Sequence, residues 1–237
     1  AASERAVALY RQVGDERGLR RSLARLGDVR RRQEDYAGAI APLEEALELH
    51  RAAGDQQAET RDVSLLGMVK ESTGDVDGAL AAFRAGVVID VATNDQGSEA
   101  FDRSRIIKLL NASGRHAEAI PELQRVVELA RLLGKPEDER LALNQLGDSH
   151  LATGDHAGAL AAYESALQLG RAAENRTGQS VSLTGIGRAR QRLDQPDAAL
   201  AAYNEALAID RELGDRPAER IDYLTIASVQ QDLGRSD

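Results

Sequence analysis

Apolar and small residues run along this chain with two superposed periods. Within a segment they fall three or four residues apart, the spacing of one face of an α-helix. From segment to segment the same pattern returns every 40 residues. The stretch from Leu146 to Leu169 shows the unit clearly. Leu146, Gly147 and His150 share one helical face, Thr153-Gly154-Asp155 breaks the helix, and Ala159, Leu160, Tyr163, Ala166 and Leu167 form the apolar side of a second helix. Asp155 is placed to cap that second helix. Gly147 and Ala159 are expected to face each other, their small side chains letting the two backbones approach closely.

The columns are regular over the whole chain. Ala39, Ala79, Ala119, Ala159 and Ala199 stand 40 apart, and four residues beyond each come Leu43, Phe83, Leu123, Tyr163 and Tyr203. The first-helix glycine recurs as Gly27, Gly67, Gly147 and Gly187, with Ile107 in repeat three. The turn inside each hairpin reads Glu34, Gly74, Gly114, Gly154, Asp194 and Gly234; the turn closing it reads Gly14, Gly54, Asn94, Gly134, Glu174 and Gly214. Gly and Asn suit the left-handed position just past a helix end. Pro42 and Pro121 fall inside second helices, where each is expected to introduce a mild kink. Arg103 and Ile107 depart from the pattern and predict local repacking or a bend in repeat three.

The residue types at these columns resemble the tetratricopeptide repeat family. Its pattern of apolar residue, Leu-Gly, aromatic-type slot, Ala, Phe/Tyr and Ala fits Leu143, Leu146-Gly147, His150, Ala159, Tyr163 and Ala166. The next copy matches through Leu183, Ile186-Gly187, Arg190, Ala199, Tyr203 and Ala206. The usual repeat is about 34 residues, so these copies are the long variety. That form resembles spindle-orientation adaptors, kinesin light chains, and the sensor arms of bacterial signalling ATPases and transcription regulators. The resemblance implies an all-α fold, a right-handed superhelical solenoid of antiparallel helix hairpins. The chain is then one solenoid over 1–237. Full repeats span 20–59, 60–99, 100–139, 140–179 and 180–219; a lone second helix occupies 1–15 and a lone first helix 220–237. The half repeats at both ends predict a fragment of a larger protein.

Composition narrows the functional classes. Aromatics are 3% of residues and hydrophobics 42%, with no cysteine, which suits thin helix pairs and excludes disulfide or thiolate chemistry. No apolar run approaches the ~20 residues of a membrane span and nothing at the start of the given sequence resembles a signal peptide, so a cytoplasmic protein off the membrane is expected. Lysine is confined to Lys70, Lys108 and Lys135 against many arginines, a bacterial trait. The four histidines, His50, His116, His150 and His156, have no converging ligands at metal spacing. Thr184-Gly185-Ile186-Gly187 lies mid-helix and reads as packing, not as a phosphate loop. No nucleophile–base pair stands out. The expectation is no catalytic residue, no metal and no cofactor. Nucleic acid is excluded by the net charge of −9 and the scarcity of stacking aromatics.

What remains is the concave face that the resemblance assigns to the first helices. Its positions include Arg21, Asp28, Arg31, Arg32, Arg61, Met68, Phe101, Lys108, Asn111, Asn144, Asp148, Arg188 and Arg192. Over all such positions, basic residues outnumber acidic ones although the whole chain is acidic. Arginines grip carboxylates bidentately, and Asn111 and Asn144 suit an extended peptide backbone. The function expected is a protein–protein interaction scaffold that binds a peptide or protein segment, acidic in character, in this groove. The alternative is a regulatory or sensor arm of a bacterial signalling ATPase, transcription regulator or protease.

Overall fold

The structure, a computed structural model, describes residues 2–234; Ala1 and residues 235–237, the ends of the two half repeats expected from the sequence, lie outside the described residues. Twelve α-helices account for nearly all of it, and no strand occurs among the described residues. First helices are α2 (Glu16–Arg32), α4 (Gln56–Ser72), α6 (Gln96–Ala112), α8 (Pro136–Thr153), α10 (Arg176–Arg192) and α12 (Arg216–Asp232). Second helices are α1 (Ala2–Val13), α3 (Tyr36–Ala52), α5 (Val76–Thr93), α7 (His116–Leu132), α9 (His156–Ala172) and α11 (Pro196–Leu213). From α2 onward the starts of each kind fall 40 residues apart. The chain is thus all-α and built of antiparallel hairpins. It divides into two compact units, Ala1–Leu109 and Leu110–Asp237, with the division inside α6, the first helix of the divergent repeat.

Side-chain caps mark most helix starts, while α7, α8 and α11 begin without one. Asp15, Asp35, Asp55, Asp75, Asp155 and Asp215 each accept a hydrogen bond from the backbone N–H three residues on, as does Asn175. These bonds satisfy donors a helix start leaves open. All twelve turn positions have positive φ, including Glu34 at 60°, Glu174 at 51° and Asp194 at 58°. Position in the repeat, not residue type, dictates the left-handed conformation there. Pro196 sits in the first turn of α11, where its missing N–H costs nothing.

Hairpins close around the large residue of the second helix. A Cβ built on Gly147 would lie 2.6 Å from the Tyr163 ring, and one on Gly187 2.5 Å from Tyr203. Gly27 stands in the same way against Leu43, and Gly67 against Phe83. The glycine therefore meets first the residue sixteen positions on, with the alanine twelve positions on close behind: a Cβ on Gly27 would stand 3.2 Å from the Ala39 carbonyl oxygen. Helical periodicity placed Gly147 and Ala159 on facing sides but does not resolve which residue stands deepest. Gly185 touches the other side of the Tyr163 ring, with a built Cβ at 2.5 Å. The Gly185 and Gly187 pair is thus a packing device for two tyrosines.

Between hairpins, one slot pairs the end of each second helix with the residue twelve positions later on the next first helix. It holds His50 and Asp62, Asp90 and Asp102, Ala130 and Ala142, Gly170 and Ser182, then Asp210 and Asp222. All of these are buried. His50 Nδ1 lies 2.6 Å from Asp62 Oδ2. Ser182 Oγ donates to Asn144 Oδ1 at 3.0 Å. Where two carboxyls share the slot, burial and the second carboxyl raise the pKa: burial, then Asp210, lifts Asp222 to about 7.

Three measurements test this packing. Gly147→Ala should lower stability by about 1–3 kcal/mol through the clash with Tyr163, whereas Gly97→Ala, whose Cβ would have 3.5 Å to its nearest neighbour, should not. Equal effects in chemical denaturation would sink the notch. Glu174→Gly should stabilise by about 1 kcal/mol by relieving an L-residue in left-handed backbone; a loss of stability would show that the Glu174 side chain matters more than its φ. Asp222 holds a proton that the unfolded chain releases above pH ~4, so stability falls as pH rises from about 4 to about 7. Asp222→Asn should therefore gain on the order of 1–3 kcal/mol over wild type at pH 8, with a smaller gain at pH 5. Thermal unfolding at both pH values reads the difference, and a gain independent of pH would contradict it.

Candidate functional site

Residues 1–109 contain a cleft of about 980 Å³ on the first-helix face. Arg17, Arg20 and Arg21 from α2 and Arg61 from α4 line it, with Met68 and Phe101 supplying apolar wall. None of these four arginines makes an ion pair, and Arg20 Nε is buried without a hydrogen-bond partner. Asp55 and Asp95 also border the cleft, but both are committed to helix starts. Asp55 accepts from the Ala58 N–H at 3.2 Å, and Asp95 from the Ser98 N–H and hydroxyl at 3.1 and 3.0 Å. Those bonds hold the Asp95 carboxyl below its ordinary pKa.

The floor is polar and buried. His50, Thr60, Ser64 and Asp90 reach the cleft lining. The Ser64 hydroxyl donates to both oxygens of Asp102, at 2.9 and 3.0 Å. The Asp102 carboxyl also fills the space left by Gly86, where a built Cβ would lie 2.0 Å from Oδ2. Burial lifts Asp102 to about 7 against the pull of that hydroxyl. Asp90 is 1% exposed, and neither of its oxygens has a hydrogen-bond partner of normal geometry. Burial raises it to about 6, with Thr60 beside it pulling the other way.

The residues expected on the first-helix face have different fates. Arg21, Arg61, Met68 and Phe101 come together in the cleft. Arg31 and Arg32 both turn to Asp28, at 2.7 and 2.8 Å, and these bonds keep Asp28 below the usual carboxylate range despite partial burial. Lys108 pairs with Glu71 at 2.9 Å, and Arg105 reaches the same carboxylate at 3.1 Å. In residues 110–237, Asp148 Oδ1 accepts from the Tyr163 hydroxyl at 2.7 Å and from Arg188 at 3.0 Å. Asn144 is buried and engaged with Ser182, Asn111 Oδ1 lies 3.3 Å from His116 Nδ1, and Arg192 is exposed. Leu141, Val181 and Ile221, the counterparts of Arg21 and Arg61, are exposed apolar residues. Sequence reasoning missed Arg17 and Arg20. Arg17 lies four residues before Arg21, hence on the same helical face, and that spacing was the available signal.

Among the described residues no group of three or more His, Cys, Asp or Glu is arranged to hold a metal ion, and no helix is long and apolar enough to cross a membrane.

Comparison with known proteins agrees with this geometry. Residues 103–172 and 138–212 match the tetratricopeptide repeat family model. No curated protein matches the chain. Among solved structures, BtubC (BKLC) from P. vanneervenii is similar at 17% identity with a TM-score of 0.63, covering 90% of each chain. The MamA protein is similar at 20% identity and a TM-score of 0.63, over 83% of this chain and 94% of its own. A signal transduction ATPase with numerous domains from Pyrococcus horikoshii, which carries a tetratricopeptide repeat sensor, aligns at 17% identity with a TM-score of 0.63. That alignment takes in 99% of this chain and 40% of the ATPase. At such identities the likeness is one of fold. Residues 103–212 thus carry tetratricopeptide repeats, and the same 40-residue period continues into the rest of the sequence.

Proposed function

We propose that the chain is a protein-interaction scaffold whose cleft in residues 1–109 takes an acidic segment of a partner protein. The observation that carries this reading is the set of four arginines, Arg17, Arg20, Arg21 and Arg61, that line one cleft without an ion-pair partner. Guanidinium groups are weakly hydrated, rigid forks that match carboxylates bidentately. Phe101 and Met68 give the same cleft an apolar wall for the stems of the bound side chains. Repeats of this family mediate protein–protein binding, and a first-helix face is suited to an extended segment. A second reading, the sensor arm of a larger signalling protein, draws support from the alignment of nearly the whole chain with part of an ATPase that has a repeat sensor. The sequence flanking these repeats separates the two: an ATPase, DNA-binding or protease domain there favours the arm.

A fluorescein-labelled hexaglutamate peptide provides the direct test by fluorescence anisotropy. Arg21→Glu with Arg61→Glu should weaken its binding by about tenfold or more and leave thermal stability nearly unchanged. Arg31→Glu with Arg32→Glu should matter much less, because Asp28 already holds both. Binding of the wild type should also weaken as salt rises. Equal losses from the two double variants, or none from either, would remove the cleft from the function.

A further inference from the structure

We infer that the cleft of residues 1–109 is a proton-gated anion site, in which Asp90 and Asp102 oppose an acidic occupant when ionised and admit it when protonated. This rests on the reading of the cleft as an acidic-segment site and adds its regulation.

The geometry is a stack of two layers. The rim carries four arginines, which stay charged at any relevant pH. Beneath it lie two buried carboxyls that share one inter-hairpin slot: Asp90 in the cleft lining, and Asp102 joined to that lining through Ser64. Neither has a cation bonded to it. Burial disfavours their charged forms, and each carboxylate disfavours ionisation of the other. Burial brings Asp90 to about 6 and Asp102 to about 7, so both change state around neutral pH.

From α3 and α4 the facing groups are Thr60, Ser64 and the buried His50–Asp62 contact at 2.6 Å, in which burial raises the Asp62 carboxyl above its ordinary pKa. From α6 come Glu99, bonded to Arg103 at 2.9 Å, and Arg105, bonded to Glu71 at 3.1 Å. The α5–α6 turn adds Asp95, whose carboxyl is held below its ordinary pKa and stays ionised. Asp55 and Asp95 at the rim, with Asp90 and Asp102 below, bring four negative charges against the four arginines. With all ionised, the local charge is near zero. Protonating the two buried carboxyls leaves a surplus of two positive charges facing the cleft, with the arginines unmoved.

The sign follows directly. An anionic occupant favours the protonated forms of Asp90 and Asp102, so binding takes up protons, and lowering the pH tightens it. The probe is the labelled hexaglutamate peptide, whose carboxyls, with ordinary pKa near 4.3, stay largely ionised down to pH 5.5. Anisotropy titrations of the 237-residue chain at fixed ionic strength should give about tenfold tighter binding at pH 5.5 than at pH 8. Asp102→Asn and Asp90→Asn, which keep the shape and remove the charge, should each flatten this profile. The double variant should bind at pH 8 about as tightly as the wild type does at pH 5.5. Thermal unfolding of each variant at both pH values confirms that it is folded. Binding that is real but equal at the two pH values, or a profile unchanged in both Asn variants, overturns the gating and leaves the cleft as a plain anion site. Failure to bind at either pH overturns the cleft's role as an acidic-segment site and the gating with it.

Discussion

Four of the hairpins depend on one close approach, that of a first-helix glycine to the large side chain sixteen residues later. A helix pair can bring its backbones this near only if one partner has no Cβ at the crossing. Gly147 and Gly187 meet Tyr163 and Tyr203 at distances no Cβ could occupy. Tyr163 is also touched from the next hairpin by Gly185, so one ring seals both the hairpin and the contact to its neighbour. That double use explains how residues 110–237 pack around few aromatic rings. The remaining buried positions are mostly Ala, Leu, Ile and Val, which fill thin layers without strain.

Because each hairpin touches mainly its neighbours, polar chemistry varies from one copy to the next without disturbing the frame. The inter-hairpin slot illustrates this. Geometry there is the same every 40 residues, yet the slot holds an imidazole and a carboxylate, two carboxyls, two alanines, or a glycine and a serine. Alanines fill it at no electrostatic cost. Two carboxyls fill it only by keeping a proton at a pH where the unfolded chain has none, which makes that interface conditional on pH. The slot that holds Ala130 and Ala142, 40 residues on from Asp90 and Asp102, carries no titratable group, so conditional and unconditional interfaces occur in the same chain.

The frame was legible from sequence, the polar detail only in part. A column repeated every 40 residues fixes a backbone conformation even where the residue type argues against it: Glu34, Glu174 and Asp194 adopt the left-handed φ of the glycines they replace. Depth within a hairpin was not legible. Periodicity gives a face, and Ala159 and Tyr163 share one, so it does not tell that the Tyr163 ring stands nearest to Gly147. Charge pairing was likewise hidden. Arg31 and Arg32 look like open groove cations in sequence, but they stand three and four residues after Asp28, the separation at which helical side chains meet. Asp90, Asp102, Asp210 and Asp222 resemble ordinary solvated acids until the stack buries them.

The same reasoning explains why the cleft arginines stay open in an acidic chain. A carboxylate on a helix face swings freely and captures the nearest guanidinium, as Asp28 captures two and Asp148 captures Arg188. A carboxylate at an N-cap is different. Its oxygens are held by backbone N–H groups that would otherwise lack partners, and leaving them costs the cap. The acids bordering the cleft, Asp55 and Asp95, are both of this second kind. The caps that start α4 and α6 thus place negative charge beside Arg17, Arg20, Arg21 and Arg61 in a form that bonds to none of them. Capping, a requirement of the fold, leaves the guanidinium forks available to an incoming carboxylate while their field is partly offset. The balance between those two effects is close enough to zero that two buried protons decide its sign.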